Sequence, residues 1–134
     1  MNAPVSDSSS STPTLDEHVW LKSYPDGVPA NIDADKFSSI KDVFNQSCEK
    51  YADAPAFTCM DKTITYGELD SLTRDFAGYL RGVLKLDAGD RVAIMLPNIL
   101  QYPVVLFGVL RAGLTVVNVN PLYTPRELQH QLHD

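Results

Sequence analysis

Basic charge is scarce in this 134-residue chain: 11 Lys and Arg stand against 17 Asp and Glu, a net charge of −6. A nucleic-acid surface needs a basic stripe to neutralise phosphates, so that class is excluded. Cysteine is scarcer still. Cys48 and Cys59 are the two, and they form no C-x-x-C pair. Reduced thiols in a cytoplasmic protein are the expectation. Long apolar runs are missing as well. The most apolar stretch, Ile99 to Leu110, is interrupted by Gln101 and Pro103 and closed by Arg111. It is too short to span a bilayer. The opening Met-Asn-Ala-Pro has neither the basic nor the apolar region of a secretory signal. A cytoplasmic protein is expected, with peripheral membrane contact left open.

Catalytic signatures are equally thin. There is no G-x-x-x-x-G-K-[ST] and no G-x-G-x-x-G. Gly108 and Gly113 have the separation of a phosphate loop, but they fall within and at the end of a predicted helix, and Leu114 follows. No nucleophile sits in a recognisable turn beside a base, so no Ser-His-Asp or Cys-His set is defined. His18 stands alone beside Trp20. His130 and His133 can share a helix face, yet no further ligands lie near them in sequence, which argues for solvated side chains and no metal site. Asp87 and Asp90 are turn residues, and Glu17, Asp33 and Asp35 read as solvated.

What is present is a core. Hydrophobic residues make up 44% of the chain, enough to bury one domain. Residues 1–14 hold five Ser, two Thr and two Pro and read as a disordered tail. Residues 15–37, with Trp20, Tyr24, Pro25, Gly27 and Pro29, read as an extended arm. From residue 38 the signals sharpen. Ser39 and Asp42 have capping-box spacing ahead of a helix to about Ala52. Ala56–Cys59 and Thr63–Tyr66 read as a hairpin around Met60-Asp61-Lys62. Thr65 and Glu68 form a second box, followed by the apolar stripe Leu69, Leu72, Phe76, Leu80 and Val83. Gly78 and Gly82 inside that helix suggest close approach of another backbone.

Arg91–Leu96 and Leu114–Val119 are continuous apolar runs, the pattern of parallel strands covered on both faces. Between them a helix from Leu100 to Ala112 is predicted, with Gly113 as its left-handed cap. The fold class is therefore α/β, built on a parallel β-α-β unit after a hairpin and helices. Thr124, Pro125 and Glu127 start a further helix. Arg111 is the sole charge between Val92 and Pro125. Its helix carries Val104, Val105, Leu106, Phe107, Val109 and Leu110 around most of its circumference. Half-exposing these side chains would forgo on the order of 5–10 kcal/mol. So few elements cannot cover that helix and both sheet faces. The chain also stops at Asp134 inside a predicted helix. Further polypeptide, or a partner in its place, is expected.

Asn118, Asn120, Pro121, Leu122 and Tyr123 lie at and beyond the carboxyl end of a parallel strand, where open α/β sheets bind ligands. A rigid strand-to-helix turn set by Pro121 and Pro125 is the alternative. Three runs also carry a family likeness: ITYGELD (Ile64–Asp70), GDRVAIMLPN (Gly89–Asn98) and QYPVVLFGVLRAGLTVVNVNPLYTPRELQHQL (Gln101–Leu132). Together they resemble the opening of the adenylate-forming (AMP-binding) superfamily, and most of all bacterial long-chain fatty acid–CoA ligases. The arm VWLKSYPDGVPANID (Val19–Asp33) resembles that subgroup too.

The resemblance implies an incomplete N-terminal part of an AMP-binding domain over residues 38–134. In the whole enzyme it implies ATP, Mg²⁺, coenzyme A and a long-chain fatty acid. The family's Ser/Thr/Gly-rich phosphate loop and catalytic lysine are not in this sequence, so no catalytic residue is assigned and no cofactor is expected on this chain alone. It further implies that Asn120, Pro121 and Leu122 form a loop on the coenzyme A side, although small-substrate relatives carry glycines there. Expected partners are the remainder of the ligase and, in assembly, a homodimer. The competing reading is a non-catalytic α/β module that pairs through its apolar helix.

Overall fold

The computed structural model describes residues 19–33 and 35–133. The expected disordered tail at 1–14, His18 and Asp134 lie outside them. The described part falls into two units, divided at residues 34 and 35. In the first, Val19–Ser23 forms a short 3-10 helix, and Tyr24 N–H closes onto Leu21 C=O at 3.1 Å. Gly27, at φ +86°, supplies the left-handed residue of the turn that follows.

The second unit runs α1 (Ile40–Lys50), β1 (Pro55–Cys59), β2 (Lys62–Thr65), α2 (Tyr66–Gly82), β3 (Arg91–Ile94), α3 (Gln101–Arg111), β4 (Thr115–Asn118) and α4 (Pro125–His133). β1 and β2 pair antiparallel, and β3 and β4 pair parallel in the register Arg91↔Thr115 to Ile94↔Asn118. The architecture is the mixed α/β one that the sequence indicates. The elements are shorter at their ends than the apolar runs, because the last apolar residues belong to the loops. Tyr66 opens α2 instead of closing the hairpin.

Local chemistry explains the boundaries. Ser39 Oγ accepts from Asp42 N–H at 3.1 Å, while the Asp42 carboxylate accepts from Ser38 N–H, one residue before the expected partner. Thr65 and Glu68 complete a reciprocal box at 3.2 and 2.9 Å. α3 ends in a Schellman arrangement: Gly113, at φ +76°, donates to Leu110 C=O, and Leu114 donates to Val109 C=O. The hairpin turn places both Met60 (φ 48°) and Asp61 (φ 60°) in the left-handed region that a two-residue turn between twisted strands requires.

Two apolar clusters meet on α3. Leu80, Ile94, Val109 and Leu114 form one, and Phe44, Cys48 and Leu69 form the other with Phe107 packed against them. Phe44 and Phe107 stack with ring centroids 4.0 Å apart. The close helix crossing is not at Gly78 or Gly82, where a Cβ would meet nothing within 4 Å among the described residues. It is at Gly108 of α3, where a Cβ would lie 2.8 Å from Phe76 Cδ1 and 3.3 Å from Thr73 C=O. Helix α3 itself is only partly enclosed: Pro103, Gly108 and Val109 are buried, and Val104, Val105, Leu106, Phe107 and Leu110 are half-buried. The β3–β4 pair also departs from two-sided burial. Val92 and Ile94 turn toward α3, whereas Ala93 and Met95 are exposed.

Candidate functional site at the carboxyl ends of β3 and β4

α3 covers the face of the β3–β4 pair that carries Val92, Ile94, Leu114 and Val116. α4 approaches the opposite face, where Gln131 and Leu132 border a cavity of about 510 Å³ with Arg91, Ala93 and Val117. The chain therefore leaves β3 toward one face and β4 toward the other. Two adjacent parallel strands whose exits diverge open a crevice between them, the switch-point position at which α/β sheets bind ligands.

The crevice floor is the last rung of the ladder, where Val119 N–H donates to Ile94 C=O at 3.0 Å. One wall is the Pro97–Leu100 loop and the start of α3. There Tyr102 Oη donates to Asn118 Oδ1 at 3.0 Å, tying α3 to the end of β4. Behind this wall a cavity of about 350 Å³ is lined by Phe57, Thr58, Cys59, Asn98, Ile99 and Leu100, among others. The Cys59 thiol points at Asn98 C=O across 3.6 Å.

The other wall is the turn predicted from sequence. Leu122 N–H donates to Asn120 Oδ1 at 3.0 Å, and Tyr123 N–H donates to Asn120 C=O at 3.1 Å. Asn120 thus folds the turn through both its side chain and its backbone. Asn120, Pro121 and Leu122 are all exposed, Leu122 to 87%. Thr124 then caps α4: its N–H and hydroxyl both donate to Glu127 Oε2 at 2.7 Å. The Thr124 hydrogen bonds hold the Glu127 carboxyl below its ordinary pKa. The basic flank of α4, with Arg126, His130 and His133, continues from this wall. Among the described residues that flank is lined by α4 and its cap. Among the described residues no group of three or more His, Cys, Asp or Glu comes together to hold a metal ion.

Both cysteines are free thiols. Cys48 is buried, and that burial, with the nearby Asp70 carboxylate, pushes its thiol pKa up. No helix is long and apolar enough to cross a membrane among the described residues.

Sequence reasoning missed the principal polar cluster. Arg111, its side chain only 9% exposed, donates to Asp70 C=O at 2.8 Å, Thr73 Oγ1 at 2.7 Å and Asn45 Oδ1 at 2.6 Å, and also to the Asp70 carboxylate. Its guanidinium lies 5.1 Å above the Phe44 ring centroid. One side chain thereby joins α1, α2 and α3. The signal was the single charge in a long apolar run, which a buried and fully bonded arginine explains.

Comparisons with known proteins agree with this architecture. The Klebsiella oxytoca NpsA N-terminal subdomain, solved in complex with anthranilyl-AMSN, superposes with a TM-score of 0.70 at 23% identity, over 73% of this chain and 26% of that one. A benzoate CoA ligase from Burkholderia xenovorans superposes with a TM-score of 0.65 at 29% identity, over 69% of this chain and 19% of that one. The fold is that of the N-terminal subdomain of adenylate-forming enzymes. Residues 44–134 match the AMP-binding enzyme family, and the chain belongs to it. A long-chain-fatty-acid–CoA ligase from Yersinia pestis is 58% identical over 118 residues, which is 88% of this chain and 21% of that protein. The chain thus spans about a fifth of the length of the curated relatives it matches.

Proposed function

We propose that this chain is part of a long-chain fatty acid–CoA ligase, and that it is inactive without the rest of that enzyme. The supporting observation is the 58% identity that runs through most of this chain yet reaches only 21% of the relative. In the whole enzyme a fatty acid carboxylate oxygen attacks the α-phosphorus of ATP. An acyl–phosphate bond forms, the Pα–O–Pβ bond breaks and pyrophosphate leaves; Mg²⁺ would neutralise the phosphate charge. The coenzyme A thiol, losing its proton, then attacks the acyl carbon and releases AMP.

This chain's own contribution to that reaction is the crevice. Its Asn120–Leu122 turn is the coenzyme A-side wall in this reading, shaped by the Asn120 side-chain bond to Leu122 N–H. Mg²⁺ and the nucleotide phosphates are left to residues beyond this segment in the relatives.

Pyrophosphate release from ATP and a long-chain fatty acid tests the proposal. The purified chain is expected to release none above background. A chimera in which this chain replaces the segment it matches in the Yersinia pestis relative is expected to turn over. Turnover by the chain alone, or a folded but inactive chimera, would refute the reading. Within the chimera, Asn120→Ala should raise KM for coenzyme A several-fold and leave KM for ATP unchanged. Equal effects on both would remove the turn from the coenzyme A side.

A further inference from the structure

β4 ends on a residue that strands do not favour. Thr115, Val116 and Val117 are followed by Asn118, and asparagine is depleted from strands because its amide competes with the backbone. Asn118 is exposed at the crevice floor, one residue before the rung that Val119 makes with Ile94.

Both acceptors of Asn118 are occupied. Its C=O accepts from Gln131 Nε2 of α4 at 2.9 Å, and its Oδ1 accepts from Tyr102 Oη of α3 at 3.0 Å. Backbone and side chain are therefore held by helices on opposite faces of the strand pair. The amide is planar, so fixing Oδ1 fixes Nδ2 as well. Nδ2 carries two N–H donors, and neither has a partner among the described residues. The tie to Tyr102 uses only the oxygen. The nitrogen is left as an exposed donor, oriented before any ligand arrives.

Charge narrows what that donor can meet. Neither the Pro97–Leu100 loop nor residues 118–124 carry a charged side chain. Arg111, the sole charge between Val92 and Pro125, is taken up by Asp70, Thr73 and Asn45. A ligand part seated between these walls is held by neutral hydrogen bonds and apolar contact. Coenzyme A has one part of that kind. Its nucleotide end is heavily charged, whereas its pantetheine arm is uncharged and carries two amides whose carbonyls accept hydrogen bonds.

We infer that Asn118 donates from Nδ2 to a pantetheine amide carbonyl of coenzyme A, with Tyr102 as the residue that positions it. This rests on the reading of the chain as part of a ligase that uses coenzyme A, and adds to it a contact at the crevice floor, below the Asn120–Leu122 turn.

Two substitutions in the chimera described above test the inference. Asn118→Asp keeps an oxygen for Tyr102 and removes the donor. It should raise KM for coenzyme A about tenfold and change kcat less than about twofold, as loss of ground-state binding does. Tyr102→Phe keeps the amide but releases it, and should raise the same KM about threefold. Added to Asn118→Asp, it should have no further effect, because no donor remains to be positioned. Exchange of pyrophosphate into ATP, run with fatty acid and without coenzyme A, is the reference. A loss there as large as the loss for coenzyme A would make the cluster merely structural and overturn the inference. So would an equal loss of affinity in Tyr102→Phe for the nucleotide end of coenzyme A without its pantetheine arm. Calorimetric titration with coenzyme A keeps the two proposals apart. A chimera that binds coenzyme A, more weakly in both variants, but does not turn over sinks the ligase reading alone. Turnover with unchanged coenzyme A affinity in both variants sinks the Asn118 contact alone, and a folded chimera that neither binds nor turns over sinks both.

Discussion

Arg111 is the residue on which this chain most depends. Its guanidinium is almost fully enclosed, and every bond it makes goes to another helix. Removing one partner of a buried ion pair leaves the other without compensation. Arg111→Met, which keeps length and apolar contact, should cost about 3 kcal/mol, measured by urea unfolding, the low end of that penalty, since Asp70 keeps one partner in Arg74 at 2.9 Å. A loss below about 0.5 kcal/mol would show that the cluster is ornamental. Met60 makes the opposite case. It is 87% exposed and held at φ 48°, where a long side chain gains nothing and the left-handed backbone is disfavoured. Met60→Asn should raise stability by about 0.5 kcal/mol, visible as a higher Tm, since Asn occupies that region readily.

At the scale of elements, Gly78 of α2 and Gly108 of α3 separate packing from propensity. Gly108→Ala places a methyl 2.8 Å from the Phe76 ring and should cost about 1–3 kcal/mol by forcing α2 and α3 apart. Gly78→Ala meets nothing within 4 Å among the described residues and should gain about 0.5–1 kcal/mol from helix propensity. Thermal melts of the pair must move in opposite directions. Sequence pattern revealed most elements here, since capping residues act locally: Thr65 with Glu68 and Thr124 with Glu127 are readable from spacing alone. It did not reveal which glycine lies at the crossing, because that depends on how two helices meet in space. Nor did it reveal that β3 would be half exposed. A continuous apolar run records burial in whatever final partner a strand has, and α3 covers only one face in this chain. The Asn120–Leu122 turn was legible as a loop after a strand. The divergence of its exit from that of β3 became visible only with the helices in place.

For the molecule as a whole, acid is the informative perturbation. Burial pushes the Asp70 carboxyl up, but hydrogen bonds from Arg74 and Arg111 outweigh it and hold the group below its ordinary pKa. Asp42, through Gln46 and Ser38, and Glu127, through Thr124, are lowered as well. The folded chain thus binds these protons more weakly than the unfolded chain. The stabilisation is complete above the ordinary carboxylate range and is lost as pH falls through the lowered values. Thermal melts should show Tm falling on acidification below that range, with Asp70→Asn flattening part of the slope. A slope unchanged in Asp70→Asn would remove Asp70 from this account. The same arginine also sets a timetable. Its partners Asp70 and Asn45 precede it by 41 and 66 positions, so a ribosome must make and release Arg111 before the first two helices can lock. Until then the nascent chain holds a carboxylate and an aromatic ring without their cation, and their pairing must close a loop of that length.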